Sequence, residues 1–268
     1  MYSPMKYKYL VYIPLLTIIS CNKSEQKAKN SDSVTPEPSV ALSSVQKEGE
    51  KEISWKGFLN GKTPVFMHYQ LDGNLIVGEI TYLNTKNKLP ITILGTIEDD
   101  HSYRILEFEK SGNITGIITG KPTDGTLTGS WFSPKTKKEL VLNLVKKDTA
   151  VISKQTEAKL DDIFGHYHYQ YGDAGYQGDL EIKKLPDSKA VFGITSVTGE
   201  PARNLAQIDN DTISLKTTGF TYKLSDAEDC EFRVKFYKGF AVVQYTQGVC
   251  SGQFGMNATV EGIYVKTK

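Results

Sequence analysis

Hydrophobic and polar residues alternate along most of the chain after residue 52, and turn-forming residues interrupt the alternation at short intervals. Residues 65–71 place Val, Met, Tyr and Leu at every second position, and residues 140–144 do the same with leucine. Turn signals such as Asp72-Gly73-Asn74 separate these runs. A period of two is typical of half-buried β-strands. The pattern therefore predicts an all-β protein.

The first predicted domain, residues 53–147, contains about eight short strands with hairpin-length connections. Eight antiparallel strands can close into an up-and-down barrel whose interior is filled by side chains or holds one small ligand. Glycines recur inside these strands, which suits bends at barrel corners or close packing against Trp55 and Trp131. These glycines are Gly57, Gly78, Gly95, Gly116 and Gly129.

Residues 148–160 are predicted to be a polar linker, and residues 161–268 to form a second antiparallel meander domain of nine strands. Asp209-Asn210-Asp211 and Lys238-Gly239 mark two of its hairpins. We expect both small domains to be barrel-like. A β-sandwich would give a similar string of strands, so that alternative stays open.

One strand of the first domain carries a fold resemblance. Leu127-Thr128-Gly129-Ser130-Trp131 resembles, in pattern, the Gly-x-Trp strands of avidin-like and lipocalin-like barrels. The resemblance implies a barrel and does not bring a ligand with it, because one fold hosts many functions.

The N-terminus has the order of an export signal. Lys6 and Lys8 precede an apolar run over residues 9–19, which is too short to span a bilayer. The run ends in Ile18-Ile19-Ser20-Cys21, which resembles the lipobox of bacterial lipoproteins. The resemblance implies cleavage of residues 1–20, lipidation of the Cys21 thiol and a membrane anchor in the cell envelope, with the outer membrane expected. An ordinary signal peptide with a chance cysteine is the alternative.

Residues 21–52 are predicted to be a flexible tether, because they lack aromatic residues and are rich in Ser, Lys, Glu and Pro. A coil of this length holds the body roughly 30 Å from the membrane. Removal of residues 1–20 takes away two lysines and no acid, which leaves 30 basic and 31 acidic side chains. This balance gives no argument for a nucleic-acid partner.

Cys230 and Cys250 are the two cysteines besides Cys21. An even pair in an exported protein predicts a structural disulfide, which would close a loop of about 20 residues. The alternatives are two free thiols or half of a metal site, and no Cys-x-x-Cys spacing supports zinc.

The last part of the chain carries a second resemblance. Cys230-Glu-Phe-Arg-Val-Lys-Phe, Cys250, Phe254-Gly255-Met256-Asn257 and Gly262-Ile263-Tyr264 resemble the small disulfide-closed β domains of exported bacterial proteins, including lysozyme-inhibitor-type lipoproteins. The resemblance implies binding of lysozyme or another envelope protein. The Ser-Gly-x-x-Tyr inhibitory loop of that family is not present, since the segment after Ser111-Gly112 reads Asn-Ile-Thr.

His166 and His168 lie two positions apart on a predicted strand, so their side chains share a face and could ligate one metal ion. Asp161, Asp162 and Asp173 are the nearby acids. The alternative is a solvated polar face opposite packed tyrosines, and the lack of a third ligand at a recognisable spacing favours it.

A cluster of four acids surrounds Cys230 and is a candidate contact for a basic protein such as lysozyme. Its members are Asp226, Glu228, Asp229 and Glu231. The cluster lacks the Asp-x-Asp-x-Asp-Gly pattern of a calcium loop, and a solvated turn is the alternative.

Motifs for catalysis and cofactor binding do not occur in the sequence, which has no nucleophile elbow, phosphate loop or dinucleotide fingerprint. The pair Glu107 and Glu109 says little about glycoside hydrolysis, and Leu106 and Phe108 are predicted to point inward instead. The sequence predicts a non-catalytic envelope lipoprotein without a cofactor, which binds a protein or has a structural role. A small-ligand carrier using the barrel lumen is the alternative, and a metal-dependent hydrolase is a more distant one.

Overall fold

The structure, a computed structural model, describes residues 52–148, 151, 156–224, 230–248, 250 and 252–268. These residues belong to one compact unit. Their regular structure consists of β-strands and one short 3-10 helix, Leu160–Asp162, and no α-helix occurs among them. The same ranges contain no helix long and apolar enough to cross a membrane. The predicted all-β class is therefore confirmed.

The first sheet is a closed barrel of eight antiparallel strands, in which neighbours in sequence pair and β1 also pairs with β8. Its strands are β1 (Ile53–Leu59), β2 (Thr63–Asp72), β3 (Leu75–Tyr82), β4 (Pro90–Ile97), β5 (Tyr103–Phe108), β6 (Ile114–Thr123), β7 (Thr126–Phe132) and β8 (Glu139–Lys147). The meander and the strand number agree with the sequence prediction.

The middle of the barrel is filled by the protein's own side chains. Met67, Tyr69 and Ile105 are fully buried members of this cluster. Trp55 Nε1 donates to the Tyr69 hydroxyl at 3.2 Å, and that hydroxyl donates to the Tyr103 hydroxyl at 3.1 Å. The polar atoms of the lumen therefore satisfy one another, and this packing lends no support to a ligand held inside the lumen.

The strand glycines lie where neighbouring strands approach closely. A Cβ atom on Gly57, Gly78, Gly95 or Gly129 would lie 1.9–2.3 Å from a carbonyl oxygen of the adjacent strand. Gly116 instead faces the Trp131 indole, whose nitrogen would lie 2.3 Å from such a Cβ. The predicted packing against a tryptophan therefore holds for Gly116, whereas close approach of the adjacent strand's backbone explains the other four glycines.

The second sheet also has eight antiparallel strands and is barrel-like, in the order β12-β11-β10-β9-β16-β15-β14-β13. Its strands are β9 (Gly165–Gln170), β10 (Gln177–Leu185), β11 (Lys189–Val197), β12 (Leu205–Ser214), β13 (Gly219–Lys223), β14 (Glu231–Tyr237), β15 (Phe240–Gln247) and β16 (Gly262–Lys266). The sheet curls so that its edge strands meet, and the Tyr222 hydroxyl of β13 donates to Asp211 of β12 at 2.9 Å.

The predicted hairpin at Asp209-Asn210-Asp211 is wrong, and eight strands replace the nine expected. β12 runs through these residues, which lie exposed at the edge of the sheet. Its register against β11 shifts between Phe192 and Ile194, so a β-bulge absorbs the irregularity. On an exposed edge strand, a bulge can hold polar residues such as Asp and Asn in extended backbone, although these residue types are typical of turns.

The two sheets share a hydrophobic core on the outer face of the barrel. Leu106 and Phe108 of β5 belong to the same buried cluster as Tyr167 and Phe236 of the second sheet. Leu106 and Phe108 therefore point out of the barrel, and Glu107 points into it. The sequence predicted the opposite, with Leu106 and Phe108 pointing inward. A strand buried on both faces lacks the apolar–polar alternation from which its direction is predicted.

Candidate functional site

A groove at the junction of the two sheets contains two adjoining cavities of about 430 and 420 Å³. β9 and β16 pair through His168 with Val265 and through Tyr167 with Lys266. Beyond these pairs β9 turns away, and the Tyr171 N–H donates to the Tyr176 carbonyl. The groove opens at this separation, against the outer face of the barrel. Junctions of this kind are frequent sites for small ligands.

Aromatic side chains form the wall of the second cavity. Phe132 comes from the barrel, Tyr169 comes from β9, and Tyr171 and Tyr176 come from the loop between β9 and β10. The Tyr169 ring lies edge to face with Tyr264 at 4.9 Å and with Tyr171 at 5.8 Å between centroids. A row of tyrosines therefore leads from the buried core to the groove, where it offers an apolar surface with hydroxyl groups.

Arg104 lines both cavities. It lies on β5 on the same outward face as Leu106, at the point where the apolar contact between the sheets gives way to the groove. No residue within the described ranges forms a hydrogen bond or ion pair with its guanidinium. Lys137 adds a second cation to the wall of the second cavity. A guanidinium with available N–H groups binds a carboxylate, sulfonate or phosphate through paired hydrogen bonds.

The acids of the groove are distributed unevenly. Glu98 and Asp99 line the first cavity, whereas Glu261 borders both. Burial raises the pKa of the Glu261 carboxyl above its ordinary value, and the charge of Glu98 acts in the same direction. The second cavity, with Arg104 and Lys137, is therefore the end of the groove suited to an anion.

The two predicted metal-ligand candidates lie on one face, and both contact Asp179 of β10. His166 Nε2 and His168 Nδ1 lie 2.9 and 2.8 Å from Asp179 Oδ1. The hydrogen bond to Asp179 raises the pKa of His168. Asp179 follows from the strand register and was not among the acids predicted from sequence proximity. Where the chain is described, no group of three or more His, Cys, Asp or Glu side chains is arranged to hold a metal ion.

Cys230 and Cys250 form a disulfide, which confirms the predicted pairing. Both residues are buried, and Leu224, Tyr245 and Phe254 pack around them. The bridge joins the residue before β14 to a residue shortly after β15, so it ties the two open ends of this hairpin together.

Four of the predicted site residues, Cys21, Asp226, Glu228 and Asp229, lie outside the described residues. Glu231 is the first residue of β14, and its carboxylate accepts a hydrogen bond from Thr246 Oγ1 at 2.7 Å. Lipidation at Cys21 and a protein contact at the acidic cluster stay predictions.

Sequence reasoning did not identify the groove. Arg104 and the tyrosines that share it are far apart in the chain, and strand register together with packing brings them together. One local signal was available, because Arg104 is a cation within the otherwise largely apolar segment 103–108.

Comparisons with known proteins do not assign the chain to a family. No protein-family model matches it, and neither curated proteins nor solved structures gave a match.

Proposed function

We propose that the protein is a non-catalytic binding protein of the cell envelope, and that it binds a small amphiphilic anion in the groove between its two sheets. Arg104 carries the proposal, because its guanidinium has no partner in the described part of the chain and lies beside a wall of tyrosines. Arg104 is exposed to solvent at the edge of the aromatic cavity, so its guanidinium can pair with the charged group of an anion whose apolar part lies against the tyrosines.

The surroundings of Arg104 define the class of ligand. An apolar or aromatic body fits against Phe132, Tyr171 and Tyr176, while a carboxylate, sulfonate or phosphate meets Arg104 and Lys137. Each cavity falls in the range of about 300–1,000 Å³ that small-molecule sites occupy. A carrier that holds its ligand inside the barrel lumen is less well supported, because side chains fill the middle of the barrel.

Binding of anilinonaphthalene sulfonate, an aromatic anion, tests the proposal. Fluorescence titration is expected to show saturable binding to the purified protein, and Arg104→Met is expected to weaken it about tenfold, which corresponds to about 1.4 kcal/mol. Methionine keeps the length and apolar character of the side chain but removes the charge. Arg104→Lys should retain part of the affinity, because it keeps the charge without the paired N–H geometry.

Arg233→Ala is the matched control, since Arg233 is an exposed arginine of β14 that does not line either cavity. It should bind the dye as tightly as the unmodified protein. Equal affinity of the Arg104→Met and Arg233→Ala variants would contradict the proposed site.

Attachment to the envelope is the second part of the proposal and rests on Ile18-Ile19-Ser20-Cys21. Two or more acyl chains hold a protein on a membrane essentially permanently, whereas one chain binds weakly. We expect the wild-type protein, lipidated at Cys21, in the membrane fraction and the Cys21→Ala variant outside it, as judged by fractionation and immunoblotting. Equal amounts of both chains in the soluble fraction would contradict the lipid anchor.

A further inference from the structure

A separate pocket of about 810 Å³ lies at one end of the barrel. Leu89, Pro90 and Ile91 from the start of β4 form one wall, Phe108 of β5 contributes another, and Val265 of β16 completes it. Among the described residues, none that lines this pocket also lines the groove. The two sites can therefore be altered independently.

Glu107 is the buried polar residue of this pocket, with 1% of its surface exposed. The Tyr82 hydroxyl donates to Oε1 at 2.7 Å, and Trp131 Nε1 donates to the same oxygen at 2.9 Å. Oε2 accepts a single long hydrogen bond, 3.4 Å from Thr115 Oγ1. A carboxylate oxygen has two lone pairs, so Oε2 can accept a further donor.

The local fold explains why a carboxylate occupies this position. Glu107 pairs with Gly116 and Phe108 pairs with Ile114, so Thr115 is the extra residue of a β-bulge. A Cβ atom on Gly116 would lie 2.5 Å from Glu107 Oε2 and 2.3 Å from Trp131 Nε1. The absence of a side chain at position 116 therefore gives the carboxylate and the indole their space.

No cation pairs with the Glu107 carboxyl group within the described structure. Its three hydrogen-bond donors are all neutral, and no Lys, Arg or His of the described ranges forms an ion pair with it. Burial raises the pKa of its carboxyl, while the hydrogen bonds from Tyr82, Trp131 and Thr115 act against that rise. Lys110 and Lys266 both border the pocket, but neither forms an ion pair with Glu107, and the Lys266 ammonium donates to the Asp162 carbonyl at 2.5 Å.

We propose that this pocket binds the ammonium group of an amphiphilic amine, with Glu107 as its acceptor and the apolar walls around its hydrocarbon part. This site goes beyond the proposed function, since it differs from the groove in place and in the charge of its ligand. An ammonium at Oε2 donates the missing hydrogen bond and supplies the countercharge that a buried carboxylate requires. Leu89, 68% exposed at the rim, gives an alkyl chain an apolar surface on entry.

Hexylamine, hexanol and hexanoate test the proposal, because they share one hydrocarbon tail and differ in the head group. Isothermal titration calorimetry of the purified protein is expected to show hexylamine binding at least about tenfold more tightly than hexanol, with hexanoate the weakest. Equal binding of the amine and the alcohol overturns the proposal. Tightest binding of hexanoate also overturns it and assigns the pocket to an anion.

The variant Glu107→Gln keeps the shape of the side chain and removes its charge. It is expected to abolish the preference for hexylamine over hexanol. Glu139→Gln is the matched control, because Glu139 is an exposed acid of β8 that does not line the pocket. It should leave the preference unchanged, and loss of the preference in this variant instead would overturn the assignment to Glu107.

A measurement on the unmodified protein keeps the test decisive if Glu107→Gln does not fold. The chain has two tryptophans and therefore two indole N–H resonances. Hexylamine is expected to shift the resonance of Trp131, whose N–H donates to Glu107, and to leave that of Trp55 in place. An unshifted Trp131 resonance at saturating hexylamine overturns the proposal.

Discussion

The replacement of Gly78 by alanine is expected to lower the free energy of unfolding by about 3 kcal/mol or more. The added Cβ would lie 2.0 Å from the His68 carbonyl oxygen and 2.6 Å from the Tyr69 Cα atom. Both atoms belong to the backbone of β2, which pairs with β3 along its length. The methyl group can be accommodated only if the two strands move apart, which weakens the closed ladder of the barrel.

Urea unfolding followed by tryptophan fluorescence measures the effect, because Trp55 and Trp131 both pack in the barrel. Gly125→Ala is the control. Gly125 has a φ of +78° and open space around it, so alanine there meets conformational strain of about 1–2 kcal/mol without a clash. If both variants lose the same stability, the strands relax around the methyl group and the steric explanation is wrong.

Removal of the disulfide is expected to cost about 3 kcal/mol of stability, because the bridge closes a loop with a sequence separation of 20. Its main effect is to restrict the unfolded chain. The double variant with Cys230→Ala and Cys250→Ala should unfold at a clearly lower urea concentration than the oxidised protein.

Reduction of the unmodified protein provides the matching comparison. In the presence of dithiothreitol, its free energy of unfolding should fall towards that of the double alanine variant. An unfolding curve that is the same with and without reductant, and the same in the double variant, would mean that the bridge adds nothing to stability.

The first sheet could be predicted from the sequence because its information is local. Alternation within 65–71, turn residues such as Asp72-Gly73-Asn74 and strand glycines each act over a few positions. The closing pair of β1 with β8 is the one pair in this ladder between strands that are not consecutive, and strand number alone makes it favourable.

The direction of β5 could not be predicted, because both of its faces are buried. Leu106 and Phe108 are as apolar as Tyr103 and Ile105, and a pattern of hydrophobicity does not distinguish a barrel lumen from a contact with another sheet. Glu107 is the residue most affected, because a buried carboxyl group fits neither face by hydrophobicity, and its hydrogen bonds from Tyr82 and Trp131 follow only from the fold.

The groove depends on contacts that the sequence pattern does not record. Arg104 and Tyr171 line the same groove only because the second sheet packs on the outer face of β5. The histidine pair shows the same limit on a smaller scale, since the shared face was predictable but the partner Asp179 followed from the register of β9 with β10. Local periodicity therefore predicts strands and faces, while partners between strands and sheets require the register.

The position of β16 between β9 and β15 has a consequence for synthesis on the ribosome. All strands of the barrel precede the second sheet in the chain. Every strand that pairs within the barrel has therefore been translated before the second sheet. The second sheet consists of two four-stranded halves, and the pairing of β16 with β9 joins them. The ladder between β9 and β16 cannot form until residues 262–266 have left the exit tunnel, so the growing chain has every strand of the barrel available before this ladder can join the two halves.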